Sequence, residues 1–142
     1  MAEDITSPDD GHELFYYAYR AFTAVQDARL ATRGWGRVHH RVLHFIGRHP
    51  GMSVQALLDK LGVTKQALNA PLRALIEAGL VSAAPDKHDR RVKCLTLTPA
   101  GQRAEAELSD PQLHMLAQVF DACGPQAVAG WEAVMKAIAR RS

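Results

Sequence analysis

Apolar residues recur every three to four positions along most of this chain, and the breaks in that rhythm divide it into elements. Residues 1–11 are acidic, contain Pro8 and Gly11, and are expected to form a flexible tail. From His12 to Ala31 the positions Leu14, Ala18, Ala21, Val25 and Ala28 make a helical stripe. Phe15 and Phe22 lie off that stripe and widen the apolar surface beyond what one packing partner requires. Gly34-Trp35-Gly36 interrupts the pattern, and Val38, Val42, Phe45 and Ile46 define a second amphipathic helix that stops before Pro50-Gly51.

Ser53 is placed to cap a short helix bearing Val54, Leu57, Leu58 and Leu61, with Gly62 as the turn that follows. Thr64 can cap the next helix, whose apolar positions are Leu68, Leu72, Leu75 and Ile76 and whose stop is Gly79. The period then changes to two. Leu80–Ala83 and Cys94–Leu97 read as the arms of a hairpin, with Leu95 and Leu97 on one face and Cys94, Thr96 and Thr98 on the other. Thr98-Pro99 opens a helix with proline in its first turn. Asp110-Pro111 repeats the signal and predicts a break or sharp kink. Leu113, Leu116, Ala117 and Phe120 form a further stripe, and after Gly124-Pro125 a last helix carries Val128, Trp131, Val134, Met135 and Ile138.

Length and composition narrow the class. A chain of 142 residues, 47% hydrophobic, is enough for one domain with helical extensions. No apolar run reaches a membrane-spanning length, and the acidic N-terminus does not resemble a secretory signal. Cys94 and Cys123 form no C-x-x-C pair, so a reducing, cytoplasmic setting is expected. Gly-rich phosphate loops, nucleophile motifs and paired catalytic carboxylates are all missing from the sequence, which argues against an enzyme.

Charge distribution is more telling than net charge. Between Lys60 and Arg103 eight Lys/Arg face three acids, a local +5 in a chain of net +2, so the remainder carries −3. A positive centre inside a mildly negative protein suits a phosphate-binding face. Thr64, Lys65, Gln66 and Asn69 place short polar donors on the first turns of a helix, where they can reach base edges in a major groove. Arg73, a turn further on, is better placed for phosphate. The hairpin loop from Pro85 to Lys93 carries Asp89, Arg90, Arg91 and Lys93. Arg91 at its tip can enter the adjacent minor groove, and Asp89 can pair with an arginine to hold the loop in shape.

Pro71 complicates the helix that would enter the groove, because an interior proline costs about 3 kcal/mol. Either that helix is kinked near Ala67, or its regular part starts late with Asn69 as cap and Thr64–Leu68 as a turn.

Three stretches together resemble the MarR family of bacterial transcription regulators. HHRVLHFIGRHPGMSVQALLDKLGVTKQALN is similar to its second to fourth helices, LRALIEAGLV to its recognition helix and first wing strand, and DKHDRRVKCLTLTPAG to its wing. The wing match includes the D-x-R tip at Asp89 and Arg91 and the L-T-x-x-G close at Leu97–Gly101. The resemblance implies a mainly α fold with a small β-hairpin wing, a winged helix-turn-helix over residues 34–98. It also implies dimerisation helices at 12–33 and 99–142, a homodimer, and double-stranded DNA with a pseudo-palindromic operator as partner. It aligns Arg91 with the minor-groove arginine, and Thr64, Lys65, Gln66 and Asn69 with the contacting face of the recognition helix. The expected output is repression, relieved by a small aromatic or phenolic effector.

Residues available to line an effector pocket between the first, second and post-wing helices are Tyr16, Tyr17, Tyr19, Trp35, His39 and His40, although such a cluster equally suits a dimer core. His40 and His44 stand four apart, but zinc-sensing members of the family that this chain resembles also draw ligands from the helix after the wing, which here offers no matching histidine pair, so no metal is assigned and no cofactor is expected. Peroxide-sensing relatives place a reactive cysteine in the first helix, and this chain has none there. The competing reading is a winged-helix module for protein contacts without specific DNA binding, which would not need the Arg90-Arg91-Lys93 cluster.

Overall fold

A computed structural model describes residues 7–142. Six helices and three short strands follow in the order α1 (Pro8–Thr32), α2 (Arg37–Arg48), β1 (Met52–Ser53), α3 (Val54–Leu61), α4 (Lys65–Glu77), β2 (Val81–Pro85), β3 (Lys93–Leu97), α5 (Pro99–Cys123) and α6 (Pro125–Ala139). Capping explains most of these boundaries. Ser53 Oγ accepts the Ala56 N–H at 3.1 Å and Thr64 Oγ1 the Ala67 N–H at 3.1 Å, each satisfying a donor the helix itself cannot. Gly62 sits in the left-handed region at φ 63°, which supplies the sharp turn between α3 and α4.

The core lies where α2, α3, α4 and the sheet converge. Val42, Leu43, Ile46, Leu57, Leu68, Leu75 and Leu95 are essentially inaccessible there, and Leu108 of α5 closes it from the far side. The sheet runs β1-β3-β2, all antiparallel. β2 and β3 form the expected hairpin from Val81↔Leu97 to Pro85↔Lys93. The two-residue strand β1 is additional to the hairpin, pairing Met52 with Leu95. Its shortness hides it from any period-two pattern.

Several expectations need correction. The helix expected from His12 begins at Pro8 with Ser7 as cap, so residues 8–11 are not tail; residues 1–6 lie outside the described region. The face α1 turns inward is Thr23, Gln26 and Leu30. Leu14, Ala18, Ala21 and Ala28 are exposed and Val25 is half-buried, because α1 meets α5 and α2 along the other side of its C-terminal half. Ile76 is exposed rather than core.

Both interior prolines are absorbed. α4 is one helix from Lys65 to Glu77 with Thr64 as its cap, which rules out a late start at Asn69. Burial of Leu68, Leu72 and Leu75, each contributing about 1.5–3 kcal/mol, exceeds the proline cost of about 3 kcal/mol. The Ala67 carbonyl that Pro71 strands is on an exposed residue, where water can serve it. At Pro111 no break occurs, and α5 continues to Cys123. The carbonyl left without its helical donor belongs to Glu107, four residues earlier, and Arg29 Nη1 of α1 donates to it at 2.6 Å. Arg33 adds an ion pair to the Glu107 carboxylate at 2.6 Å.

The L-T-x-x-G close acquires a physical reason. Thr98 Oγ1 donates to the Gly79 carbonyl at 2.7 Å, accepts the Gly101 N–H at 3.0 Å, and thereby ties the end of α4, the hairpin and the start of α5 together. Gly101 lies so near the Leu80 carbonyl that a Cβ would overlap its oxygen, a backbone atom that cannot swing aside. Gly101→Ala is therefore expected to destabilise the fold by about 2 kcal/mol or more. Chemical denaturation of the purified variant checks this, and a wild-type midpoint would show that the junction relaxes without penalty.

Candidate nucleic-acid interface and the cleft behind it

α4 presents two unlike faces. Leu68, Leu72 and Leu75 are buried against the core, while Lys65, Gln66, Asn69 and Arg73 are all exposed. Spacings of three and four residues put the last four side chains along one outer stripe. Thr64, expected among the contacting residues, is exposed at the head of this helix, but its hydroxyl is occupied in capping.

At the hairpin tip, the turn is closed by Asp86 N–H donating to Val92 O at 2.8 Å and Val92 N–H to Asp89 O at 3.0 Å. Asp89 does pair with an arginine. Arg91 Nε donates to Asp89 Oδ1 at 3.0 Å and Nη2 to Oδ2 at 3.1 Å, a bidentate fork. The side-chain contact, reinforced by the Arg91 backbone N–H, holds the Asp89 carboxyl below its ordinary range. The Arg91 side chain is nevertheless 90% exposed, so the fork directs the guanidinium without covering it. Arg90 and Lys93 are exposed beside it.

Behind this face, a cleft of about 270 Å³ opens between α1, α2 and α5. Of the six residues expected to line an effector pocket, the structure brings Tyr19 and His40 to this cleft. The others lie elsewhere. Tyr16 and Tyr17 are exposed on α1 with their rings 5.6 Å apart. Trp35 stacks on His39 at 5.7 Å, with the Arg33 guanidinium over the indole. Phe22, Thr23, Gln26, Arg41, His44, Ser109, Gln112 and Leu113 complete the lining. None of these eight is expected as lining from the sequence, because residues on three separate helices share no local spacing.

A polar chain crosses the floor of the cleft. Ser109 Oγ donates to Glu105 Oε1 at 2.6 Å, so it must accept from His40 Nε2–H at 2.8 Å. His44 Nδ1 reaches the same Glu105 oxygen at 3.1 Å. Burial, followed by the neighbouring His44, keeps His40 below the ordinary histidine pKa of about 6.5. His40 and His44 are thus engaged by Ser109 and Glu105, and among the described residues no three of His, Cys, Asp or Glu converge as a metal site. Gln112 Nε2 donates to Phe22 O at 2.9 Å. Gln26 Oε1, by contrast, is buried without any hydrogen-bond partner. At the mouth, Arg41 Nη2 donates to the Tyr19 hydroxyl at 2.9 Å.

The cysteines do not form a reactive pair. Cys123 is exposed at the end of α5, and burial together with the Asp86 charge pushes the Cys94 thiol up, away from the reactive thiolate.

A helix-turn-helix whose second helix turns a polar stripe outward, followed by a hairpin with an arginine at its tip, defines the winged-helix class. A model of the MarR family matches residues 33–92, the segment from α2 into the wing. The HTH-type transcriptional regulator PetP of Rhodobacter capsulatus is 46% identical over 128 residues, covering 90% of this chain and 77% of PetP. The chain belongs to the MarR family of transcription regulators, not to an enzyme family. Solved structures agree on the fold. FabT of Streptococcus pneumoniae, crystallised in complex with DNA, superposes with a TM-score of 0.78 at 18% identity over 94% of this chain and 96% of its own. S. aureus MepR in its DNA-binding conformation gives 0.79 at 17% identity over 92% and 96%. Among the described residues, no helix is long and apolar enough to cross a membrane.

Proposed function

We propose that this chain acts as a homodimeric, sequence-specific DNA-binding repressor of a pseudo-palindromic operator, with a cytoplasmic site of action. One observation carries the reading. A bidentate Asp89 contact holds the Arg91 guanidinium outstretched at the wing tip, on the same core that turns Lys65, Gln66, Asn69 and Arg73 outward. The α4 stripe enters a major groove and Arg91 the neighbouring minor groove, where a narrow A·T-rich stretch concentrates negative potential. Solution of FabT with DNA supports the same use of the shared fold.

Homodimerisation rests on uncovered apolar surface. Leu14, Phe15, Tyr16 and Tyr17 of α1 and Trp131, Val134 and Ile138 of α6 are each about half exposed, and no residue of α6 is fully buried by its own chain. Regions 12–33 and 99–142, as α1, α5 and α6, form the dimer, and the α2–β3 region between them engages DNA. A two-fold pair of recognition helices then meets two half-sites about one helical turn apart. Occupying an operator in this way blocks access to it, so the output is repression.

Arg91→Ala should weaken binding to duplexes selected by the wild-type protein from a random pool at least tenfold, about 1.4 kcal/mol, with unchanged thermal stability. Unaltered affinity in that variant would remove the wing from the interface. It would favour the alternative of a protein-interaction module.

The effector reading attaches to the cleft. Gln26 Oε1 is a buried acceptor without a donor, which leaves it costly until something supplies one. A small phenol, its ring against Phe22 and Leu113 and its hydroxyl met by Gln26 Oε1 once that amide turns toward the cleft, suits both the polarity and the size of the space. Contact with α1, α2 and α5 at once lets such a ligand bias the spacing of the two wings. With phenol and catechol as probes, the wild-type melting temperature should rise and that of Gln26→Leu should not. Equal shifts in the two proteins, or none in either, would contradict this assignment.

A further inference from the structure

We infer that Asp86 is the positioning residue of the wing. It fixes the carboxylate that aims Arg91, and through it sets minor-groove affinity. This rests on the DNA-binding reading above and adds a residue that neither the sequence motifs nor the family comparisons assign.

Asp86 opens the hairpin tip and is half-buried, unlike Lys87, His88 and Arg90 around it. Its backbone N–H closes the loop onto Val92 O at 2.8 Å. Its carboxylate then works on both sides of that closure. Oδ2 accepts the Asp89 backbone N–H at 3.2 Å, and Oδ1 faces the Cys94 thiol of β3 at 3.7 Å. One side chain therefore ties the loop interior to the strand that leads back to the core.

What Asp86 holds is the part of the loop that holds Arg91. Asp89, its N–H anchored on Asp86, receives the Arg91 backbone N–H at 3.1 Å as well as both guanidinium contacts. The order of dependence runs from strand β3 to Asp86, from Asp86 to Asp89, and from Asp89 to a side chain that is otherwise 90% exposed. An arginine on an untethered loop loses much of its rotamer freedom on entering a groove, whereas here part of that ordering precedes binding. Two of the five guanidinium N–H donors are spent on Asp89, which leaves others for acceptors on the floor of the minor groove.

The sign of the effect separates this role from simple electrostatics. Asp86 is an acid beside a surface that binds phosphates, so if it acted only as a charge, removing it would tighten binding. A positioning role predicts the reverse. Binding is read by fluorescence anisotropy on duplexes that the wild-type protein selects from a random pool, with full-length Asp86→Ala, Asp86→Asn, Arg91→Ala and the Asp86→Ala/Arg91→Ala double variant. Asp86→Ala should lose fivefold or more in affinity. Asp86→Asn, which keeps an oxygen for the Asp89 N–H, should stay within about twofold of wild type. In the Arg91→Ala background the Ala substitution should cost nothing further, because the residue it positions is already gone. A loss that persists in that background assigns Asp86 to hairpin folding alone and overturns the proposal, as does unchanged or tighter binding by Asp86→Ala. If Arg91→Ala itself binds like wild type, the wing reading fails first and this role falls with it. A normal Arg91→Ala defect with an inert Asp86 overturns only the role proposed for Asp86.

Discussion

The approach of Gly101 to the Leu80 carbonyl is the constraint on which the rest of the molecule depends. It lies at the one place where α4, the hairpin and α5 meet, and Thr98 stitches the same point with hydrogen bonds to Gly79 and Gly101. Through that junction the start of α5 is fixed relative to α4. Farther along, α5 is tied to α1 by Arg29 and Arg33 on Glu107, and to α2 by the His40–Ser109–Glu105 chain. Under the proposed function, these few polar contacts and the packing behind them are the route by which a ligand in the cleft or a partner subunit would reach the winged region.

Much of this was legible in the sequence because it depends on local chemistry. Ser53 and Thr64 are caps wherever such residues precede apolar helical spacing, and both cap helices here. The hairpin showed itself by the change of period at Leu95 and Leu97, and the closeness of Asp89 to two arginines pointed to a pair that the structure forms with Arg91. The illegible part depends on residues far apart in the chain. Pro111 reads as a helix break, but Arg29, 78 residues before the carbonyl that proline strands, arrives to satisfy it. The inner face of α1 was misread for a related reason. Thr23 and Gln26 are polar, yet they are buried because α5 and the cleft meet them, while a more apolar stripe faces outward.

The candidate binding elements divide along the same line. The outward stripe of α4 follows from helical spacing once Leu68, Leu72 and Leu75 are known to point inward. The cleft draws three or four residues from each of three helices, and only Tyr19 and His40 of the expected six reach it. Tyr16 and Tyr17 share the composition of a pocket wall but sit on a part of α1 that its own chain leaves uncovered. Asp86 escaped notice because an acid in a charged loop looks like a solubilising residue until its carboxylate is seen holding Asp89.

The central claim is that two copies of this winged domain read DNA as a symmetric pair. Sequencing the duplexes that the purified protein retains from a random pool tests that most directly. The account predicts enrichment of an inverted repeat whose half-sites are centred about one helical turn, roughly 10 base pairs, apart, with A·T-rich positions beside each half-site where Arg91 enters. Enrichment of a lone, unrepeated half-site, or of no sequence at all, would contradict it.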